Sequence, residues 1–278
     1  MNTPTDQNPK VDFFGLTAPE FDAAVTSWGL PKFRAKQVFN WVYEKFITDP
    51  DQMSNLSKLD REKLRELVSF GNSRTVTHLT SDDGTEKLLL EWAGGAQAET
   101  VMIPDDDRRT ACVSSQVGCP VGCKFCASGM EGVKGNLSAS QIVEQVMGLN
   151  AILGKTPSKT PLATPTRINH IVFMGMGEPL ANYANVMQAI RVLHDPGGLN
   201  ISARKITIST VGVPPRMKQL ADEALPLNLA ISLHAPNEAL RKELIPWAEH
   251  FSIDEILNAA RYYFNKTGRE ITFEYILL

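Results

Sequence analysis

Beyond Asp107, short strand-like runs alternate with longer helix-like ones, and this alternation constrains the fold more than any other feature of the chain. The strand-like runs are Thr110–Ser115, His170–Met174, Lys205–Ser209, Asn228–Leu233 and Glu270–Leu277. The helix-like runs are Ser138–Leu153, Asn182–His194, Pro214–Ala224, Glu238–Ile245 and Ser252–Phe264. Strands separated by helices pair in parallel, because the helix is the crossover that returns the chain to the start of the next strand. The class is α/β, with five parallel strands of a barrel-like sheet. Gly154 to Arg167, rich in Lys, Thr, Ser and Pro, reads as a surface insertion.

Upstream the pattern differs. Residues 1–10 are polar, lack the apolar core of a signal peptide and read as a flexible tail. Residues 11–70 read as a small helical domain. Thr17-Ala18-Pro19-Glu20 has the form of a capping box with Pro in the first turn. Further amphipathic runs span Arg34–Phe46 and Ser57–Val68. From about Thr75 the period becomes two. Turns at Asp83-Gly84 and Gly94-Gly95 divide residues 71–104 into a β-meander, which links the helical domain to a core at 105–278.

The chain has 28 basic and 31 acidic side chains, a formal net charge of −3, and 43% hydrophobic residues among its 278. This composition excludes a wholly disordered chain or a fibre. It argues mildly against a surface coated for nucleic acid and leaves room for local basic patches. No window approaches the ~18 uninterrupted apolar residues of a membrane span. A cytoplasmic location with no membrane partner is expected.

The four cysteines, Cys112, Cys119, Cys123 and Cys126, fall within fifteen residues. A disulfide scaffold would scatter them, whereas a cluster in a reducing compartment points to metal binding or catalysis. The last three have the spacing C-x3-C-x2-C directly after the first barrel strand. Three thiolates on one loop can hold three irons of a cubane cluster and leave the fourth open to an amine and a carboxylate. Gly118 and Gly122 let the loop curl, and Phe125 is placed to shield one face. A zinc site with Cys112 as fourth ligand, or three unliganded structural cysteines, stays open on spacing alone.

Three other strand ends supply polar groups. Met174-Gly175-Met176-Gly177-Glu178-Pro179-Leu180 follows the second strand, Ile208-Ser209-Thr210-Val211-Gly212 the third, and Ser232-Leu233-His234-Ala235 the fourth. In β/α barrels such ends build the active site. Glu178 can accept from a cationic amine or simply belong to a tight β/α turn. His234 alone reads as a satisfied rim histidine.

Together these motifs resemble the radical S-adenosylmethionine (SAM) enzymes, and within them the RlmN/Cfr group of RNA adenine methyltransferases. Phe33-Arg34-Ala35-Lys36-Gln37 and Arg109–Cys119 fit that group too, and the likeness runs from about residue 15 to the end. The resemblance implies a partial (β/α)6-type radical SAM barrel. It implies that Cys119, Cys123 and Cys126 ligate one [4Fe–4S] cluster whose open iron binds SAM. Gly177, Glu178, Ser209, Ser232, Leu233 and His234 would hold SAM. Glu99 falls where the family has a proton-accepting carboxylate, and Cys112 where it has the cysteine that resolves a covalent RNA adduct through a disulfide. The implied reaction is methylation of adenine C2 in 23S rRNA and tRNA by a monomer, with a reduced flavodoxin-type electron donor.

In that chemistry a second, C-terminal cysteine is methylated first. A 5′-deoxyadenosyl radical abstracts hydrogen from its methyl, and the carbon radical adds to the electron-poor ring carbon. A carboxylate base removes the ring proton, and a disulfide forms as the link breaks. Without the resemblance, Glu99 reads as an exposed strand carboxylate and Cys112 as a buried strand residue.

The sequence departs from the family in one respect. No cysteine follows Cys126, and the chain stops at Tyr275-Ile276-Leu277-Leu278, so the methyl-carrying cysteine and a SAM-holding asparagine have no counterpart. The core is therefore expected to be incomplete at its C-terminus. The alternative reading is a truncated or altered paralogue that binds cluster and SAM without completing methyl transfer. For the RNA, the expected docking face is Lys32, Arg34, Lys36 and Lys45, interleaved with Trp41 and Tyr43. On the residues alone, a solvated helix face over a core Trp41 is the simpler reading, and the resemblance favours RNA.

Overall fold

A computed structural model describes residues 10–153 and 167–277. The expected tail lies outside the described residues except for Lys10, and the expected insertion except for Arg167.

The N-terminal module packs three helices, α1 (Ala18–Ser27), α2 (Phe33–Phe39) and α3 (Lys58–Leu67), beside a short parallel pair, β1 (Val11–Asp12) and β2 (Val68–Ser69). The capping box forms: Thr17 N–H and Oγ1 both donate to Glu20 Oε2 at 2.8 Å. The run expected as one helix over Arg34–Phe46 is instead α2 followed by a wider π-helical stretch, Asn40–Glu44. The reason is burial. Trp41, Val42 and Tyr43 are all buried, and three consecutive residues cannot share one face of a regular helix. Phe13 centres the module, with Phe14, Phe21, Phe39, Tyr43 and Phe70 around it at centroid distances between 4.9 and 5.6 Å.

The meander strands are β3 (Arg74–Thr80), β4 (Glu86–Glu91) and β5 (Gln97–Asp105), followed by β6 (Arg108–Cys112). A hairpin of β7 (Gln116–Gly118) and β8 (Val133–Asn136) then brackets the cysteine loop. The rest alternates: α4 (Ala139–Leu153), β9 (His170–Phe173), α5 (Tyr183–His194), β10 (Ile206–Thr210), α6 (Pro214–Asp222), β11 (Asn228–Ser232), α7 (Glu238–Leu244), α8 (Ile253–Thr267) and β12 (Ile271–Glu274). One eight-stranded sheet runs β12-β11-β10-β9-β6-β5-β4-β3. Its first five strands pair in parallel as an open barrel wall, and β5 joins β6 antiparallel, so the meander extends the barrel sheet.

Register decides which residues share a face. Cys112 pairs with Val101 on β5 and Val172 on β9. Thr207 pairs with Val172, Ser209 with Ala230, and Ser232 with Glu274. Since side chains alternate along each strand, Glu99, Cys112, Ser209, Ser232 and Glu274 all lie on one face. The other face carries Ala111, Ile171, Phe173, Ile206, Ile208, Leu229 and Ile231, all buried in the core.

The strand expected over Thr110–Ser115 ends at Cys112 because the next residues turn to other partners. The buried Gln145 side chain on α4 accepts from Ser114 N–H at 2.8 Å and donates to Ser114 C=O at 2.9 Å. Ser114 Oγ donates to Glu99 C=O at 2.6 Å. Replacing Gln145 by Leu strands a buried N–H and C=O at the barrel mouth. We expect a loss of about 2–4 kcal/mol, measured as a lowered urea midpoint with an unchanged slope.

Candidate active site at the strand-end rim

The turn after β9 lies against the segment after β6 with no room for side chains between. A Cβ on Gly175 would stand 2.7 Å from Ser114 Oγ, and one on Gly177 would stand 2.6 Å from Gln116 Cβ. Gly177 also has φ +102°, a conformation closed to most L-residues. The close approach is locked by Ser115 N–H to Met176 C=O at 2.8 Å, Met176 N–H to Ser114 Oγ at 2.9 Å, and Glu178 N–H to Gln116 Oε1 at 2.8 Å.

Glu178 is buried, and both of its carboxylate oxygens are already engaged. Its Oε1 accepts from Leu180 N–H (2.9 Å) and Thr210 Oγ1 (2.8 Å), and its Oε2 from Val211 N–H (2.8 Å). Burial raises its pKa, and these three donors oppose the rise. The carboxylate thus ties the end of β9 to the end of β10. An amine could reach it only through a remaining lone pair of Oε2.

The cysteine loop curls as the glycines suggested. Gly122 has φ +69° and Gly118 φ +75°, and a Cβ on Gly118 would collide with Gly132 C=O. Cys126 N–H bonds Cys123 C=O, and Lys124 N–H bonds Leu244 C=O, which moors the loop to the end of α7. Val121, Val211, Ile245 and Ala248 form a small apolar cluster against Cys119, Cys123 and Phe125. Phe125 meets the His234 ring edge-on at 4.8 Å. His234 has φ +57°, an uncommon backbone for a non-glycine residue. Its Nδ1 accepts from Ile276 N–H at 3.2 Å, so the neutral ring carries its proton on Nε2. Burial lowers its pKa, with Glu274 opposing.

Glu99 lines an open cleft of about 620 Å³ with Gln97, Gly118, Met176 and the segment that follows the cysteines, including Ala127, Met130 and Lys134. The Glu99 side chain is 46% exposed and pairs with Lys87 Nζ at 2.7 Å. Cys112 lies on the same sheet face, its thiol pushed up by burial. All four cysteines are free, so the structure holds no disulfide; the one the resemblance implies would join Cys112 to a later cysteine that has no counterpart in these residues.

Comparison with known proteins bears on this geometry. Residues 11–69 match the family model described as the ribosomal RNA large subunit methyltransferase N-terminal domain. A probable dual-specificity RNA methyltransferase RlmN from Dictyoglomus turgidum is 47% identical over 251 residues, which is 90% of this chain and 70% of that protein. The dual-specificity RNA methyltransferase RlmN of Bdellovibrio bacteriovorus is 42% identical over 98% of this chain and 65% of its own length. The crystal structure of a radical SAM methyltransferase from Sphaerobacter thermophilus superposes with a TM-score of 0.88 at 40% identity, covering 97% of this chain and 76% of that one. The chain belongs to the RlmN family of RNA methyltransferases.

Do the residues of this RlmN-family chain suit an iron–sulfur cluster? Burial raises the Cys119 pKa and pushes that of Cys123 up to about 12, with the neighbouring cysteines adding to the rise. Among the described residues, no three His, Cys, Asp or Glu side chains are placed to hold a single metal ion. A four-iron cube spreads its thiolates over separate irons and asks for a wider set. The buried Arg241 acts electrostatically on Cys123, and its Nε has no hydrogen-bond partner among the described residues. Three converging thiols, an apolar wall and a buried cation suit an anionic cluster.

Sequence reasoning passed over three rim residues. Thr210 and Gln116 are fixed by partners more than thirty residues away, which no local pattern reveals. Glu274 ends a barrel strand, and that position was itself a signal. Replacing Glu178 by Ala in this RlmN-family chain leaves the Leu180 and Val211 N–H groups without their acceptor. The expected cost is about 2–4 kcal/mol, read by chemical denaturation of the metal-free protein.

Proposed function

We propose that this chain binds a [4Fe–4S] cluster and SAM and serves the radical methylation of adenine C2 in 23S rRNA and tRNA. The observation that carries the reading is the convergence of the C-x3-C-x2-C loop and four strand ends on one rim. Cys119, Cys123 and Cys126 would ligate the cluster, and Gly177, Glu178, Ser209 and Ser232–His234 would line the SAM site. A reduced cluster held by these cysteines would supply the one electron that splits SAM into methionine and an adenosyl radical. The protein's own contribution is placement. The Gly175 and Gly177 turn brings backbone to the cofactor side of the rim, and the apolar cluster around Cys119 and Cys123 excludes water. Glu99, held by Lys87, faces the cleft where a flipped base can enter, and its carboxylate is the acceptor for the ring proton. Cys112 on the same sheet face would be the resolving thiol toward a methyl-carrying cysteine, for which these 278 residues hold no counterpart, so the alternative is a chain that binds cluster and SAM without completing methyl transfer. A reduced flavodoxin-type donor, a monomeric state and a cytoplasmic setting complete the proposal. No helix among the described residues is long and apolar enough to cross a membrane.

Anaerobic reconstitution tests the cluster. We expect about four irons and four sulfides per chain, abolished by Ala at Cys119, Cys123 or Cys126 and retained in Cys112→Ala. Zinc in place of iron, or loss of metal in Cys112→Ala, would overturn the assignment.

The helical module is the proposed RNA-docking face, with a narrower set of contacts. Arg34 pairs with Asp60 at 3.0 Å and donates to Gln37 Oε1 and Asn55 C=O, so its guanidinium is engaged within the module. Trp41 and Tyr43 are buried, and Trp41 Nε1 donates to Asn55 Oδ1. Lys32, Lys36 and Lys45 are exposed. Replacing these three lysines by Gln should lower the slope of log affinity against log salt by roughly 2 units, as expected for three phosphate contacts. An unchanged slope would remove this face from the RNA site.

A further inference from the structure

The last strand places a carboxylate among the residues proposed to hold SAM. Glu274 lies opposite Ser232 in register. Its Oε2 accepts from Ser209 Oγ at 2.8 Å and from Ser232 Oγ at 2.7 Å. The two hydroxyl oxygens are 3.4 Å apart, too long for a strong bond between them. The strand end is fixed independently of this side chain, since Glu274 C=O accepts from Leu233 N–H (3.2 Å) and His234 N–H (3.1 Å). The left-handed turn at His234 accompanies that second bond.

A serine hydroxyl has one proton and two lone pairs. When both serines give their protons to one carboxylate oxygen, each is left with lone pairs only. The barrel mouth then presents two neighbouring acceptors with a fixed negative charge behind them. Such a pair recognises two donors on adjacent atoms.

We propose that Glu274 is a positioning residue for the cofactor: it commits the protons of Ser209 and Ser232, so that the two hydroxyls accept from the vicinal ribose hydroxyls of SAM. This rests on the SAM reading above. In that reading the amine and carboxylate of SAM go to the open iron, and the sulfonium carries no hydrogen-bonding proton. The ribose diol is the remaining part of the molecule with two donors on neighbouring carbons.

The test is Glu274→Ala in the anaerobic, cluster-loaded chain, with equilibrium dialysis against SAM and against its 2′-deoxyribose analogue. Alanine removes the one oxygen that accepts from both serines and keeps the main-chain bonds of the strand end, so both hydroxyl protons are released. The wild type should prefer SAM over the analogue about tenfold, the value of one good hydrogen bond. In Glu274→Ala, SAM affinity should fall about tenfold and the preference should shrink to less than about twofold. Ser209→Ala should weaken SAM binding in the wild type and change little when added to Glu274→Ala. The preference is a ratio within one preparation, so a partly unfolded fraction lowers both affinities and leaves it intact. A wild type that binds both cofactors equally, or a Glu274→Ala chain that keeps both affinity and preference, would overturn the role of Glu274 and leave the SAM reading standing. A loaded wild type that binds no SAM would overturn both.

Discussion

Strand register is the constraint on which the rest of this structure depends. A slip of one residue would carry Cys112, Ser209, Ser232 and Glu274 to the helix-covered side and turn Ile171, Ile206, Ile208, Leu229 and Ile231 toward the mouth. The second set prevents it. Each of these side chains is essentially inaccessible, and burial of one is worth about 1.5–3 kcal/mol. No hydrogen bond on the polar face competes with that sum. The chemistry of one face is therefore held in place by the hydrophobicity of the other. The same pairing carries Glu99 into the site from outside the parallel core, because β5 joins β6 antiparallel and sets Val101 opposite Cys112.

Strand ends alone do not make a site, since the residues beyond them are loops. Here the loops are fixed by satisfying their backbone polar groups internally. Gln145 bonds both main-chain groups of Ser114, and Asn182 Nδ2 donates to Ser115 C=O and Leu137 C=O, each at 2.7 Å. The glycines at 175 and 177 let two such loops come within van der Waals distance. Side-chain amides and a buried carboxylate thus give loop residues the rigidity that packing gives a strand.

Much of this was legible in the sequence, and the limits have physical causes. The β/α alternation identifies five parallel strands because its signals are local: apolar runs, helix caps, glycines at turns. The cysteine spacing is likewise contained in one loop. Facial sharing is different. That Glu99 and Cys112 lie on one face depends on pairing between the meander and the core, which periodicity within either strand does not report. Trp41 reads as a core side chain on the residues alone, and a regular helix would then turn Tyr43 to the opposite side. The π-helical stretch instead buries Trp41, Val42 and Tyr43 together. Arg34 looked like a free cation until the fold brought Asp60 to it from α3. Glu178 reads as an acceptor for an amine, while the two donors that engage it from the next strand end, Thr210 and Val211, are not visible in the local sequence.

The electrostatics of the cysteine loop show what must come first. Cys119 and Cys123 sit in a partly desolvated pocket, near each other and near the buried Glu178. Every one of those neighbours opposes a thiolate, and the raised thiol pKa values express that opposition. Arg241 supplies a counter-charge, yet one guanidinium does not offset several anions in a low-dielectric site. The loop is nevertheless formed, through Gly118, Gly122 and backbone bonds to Gly132 and Leu244. Its shape comes from main-chain geometry and from apolar packing against Val121, Val211, Ile245 and Ala248. Thiolate ligation of any metal group there would require loss of the thiol protons, and its binding would weaken as pH falls.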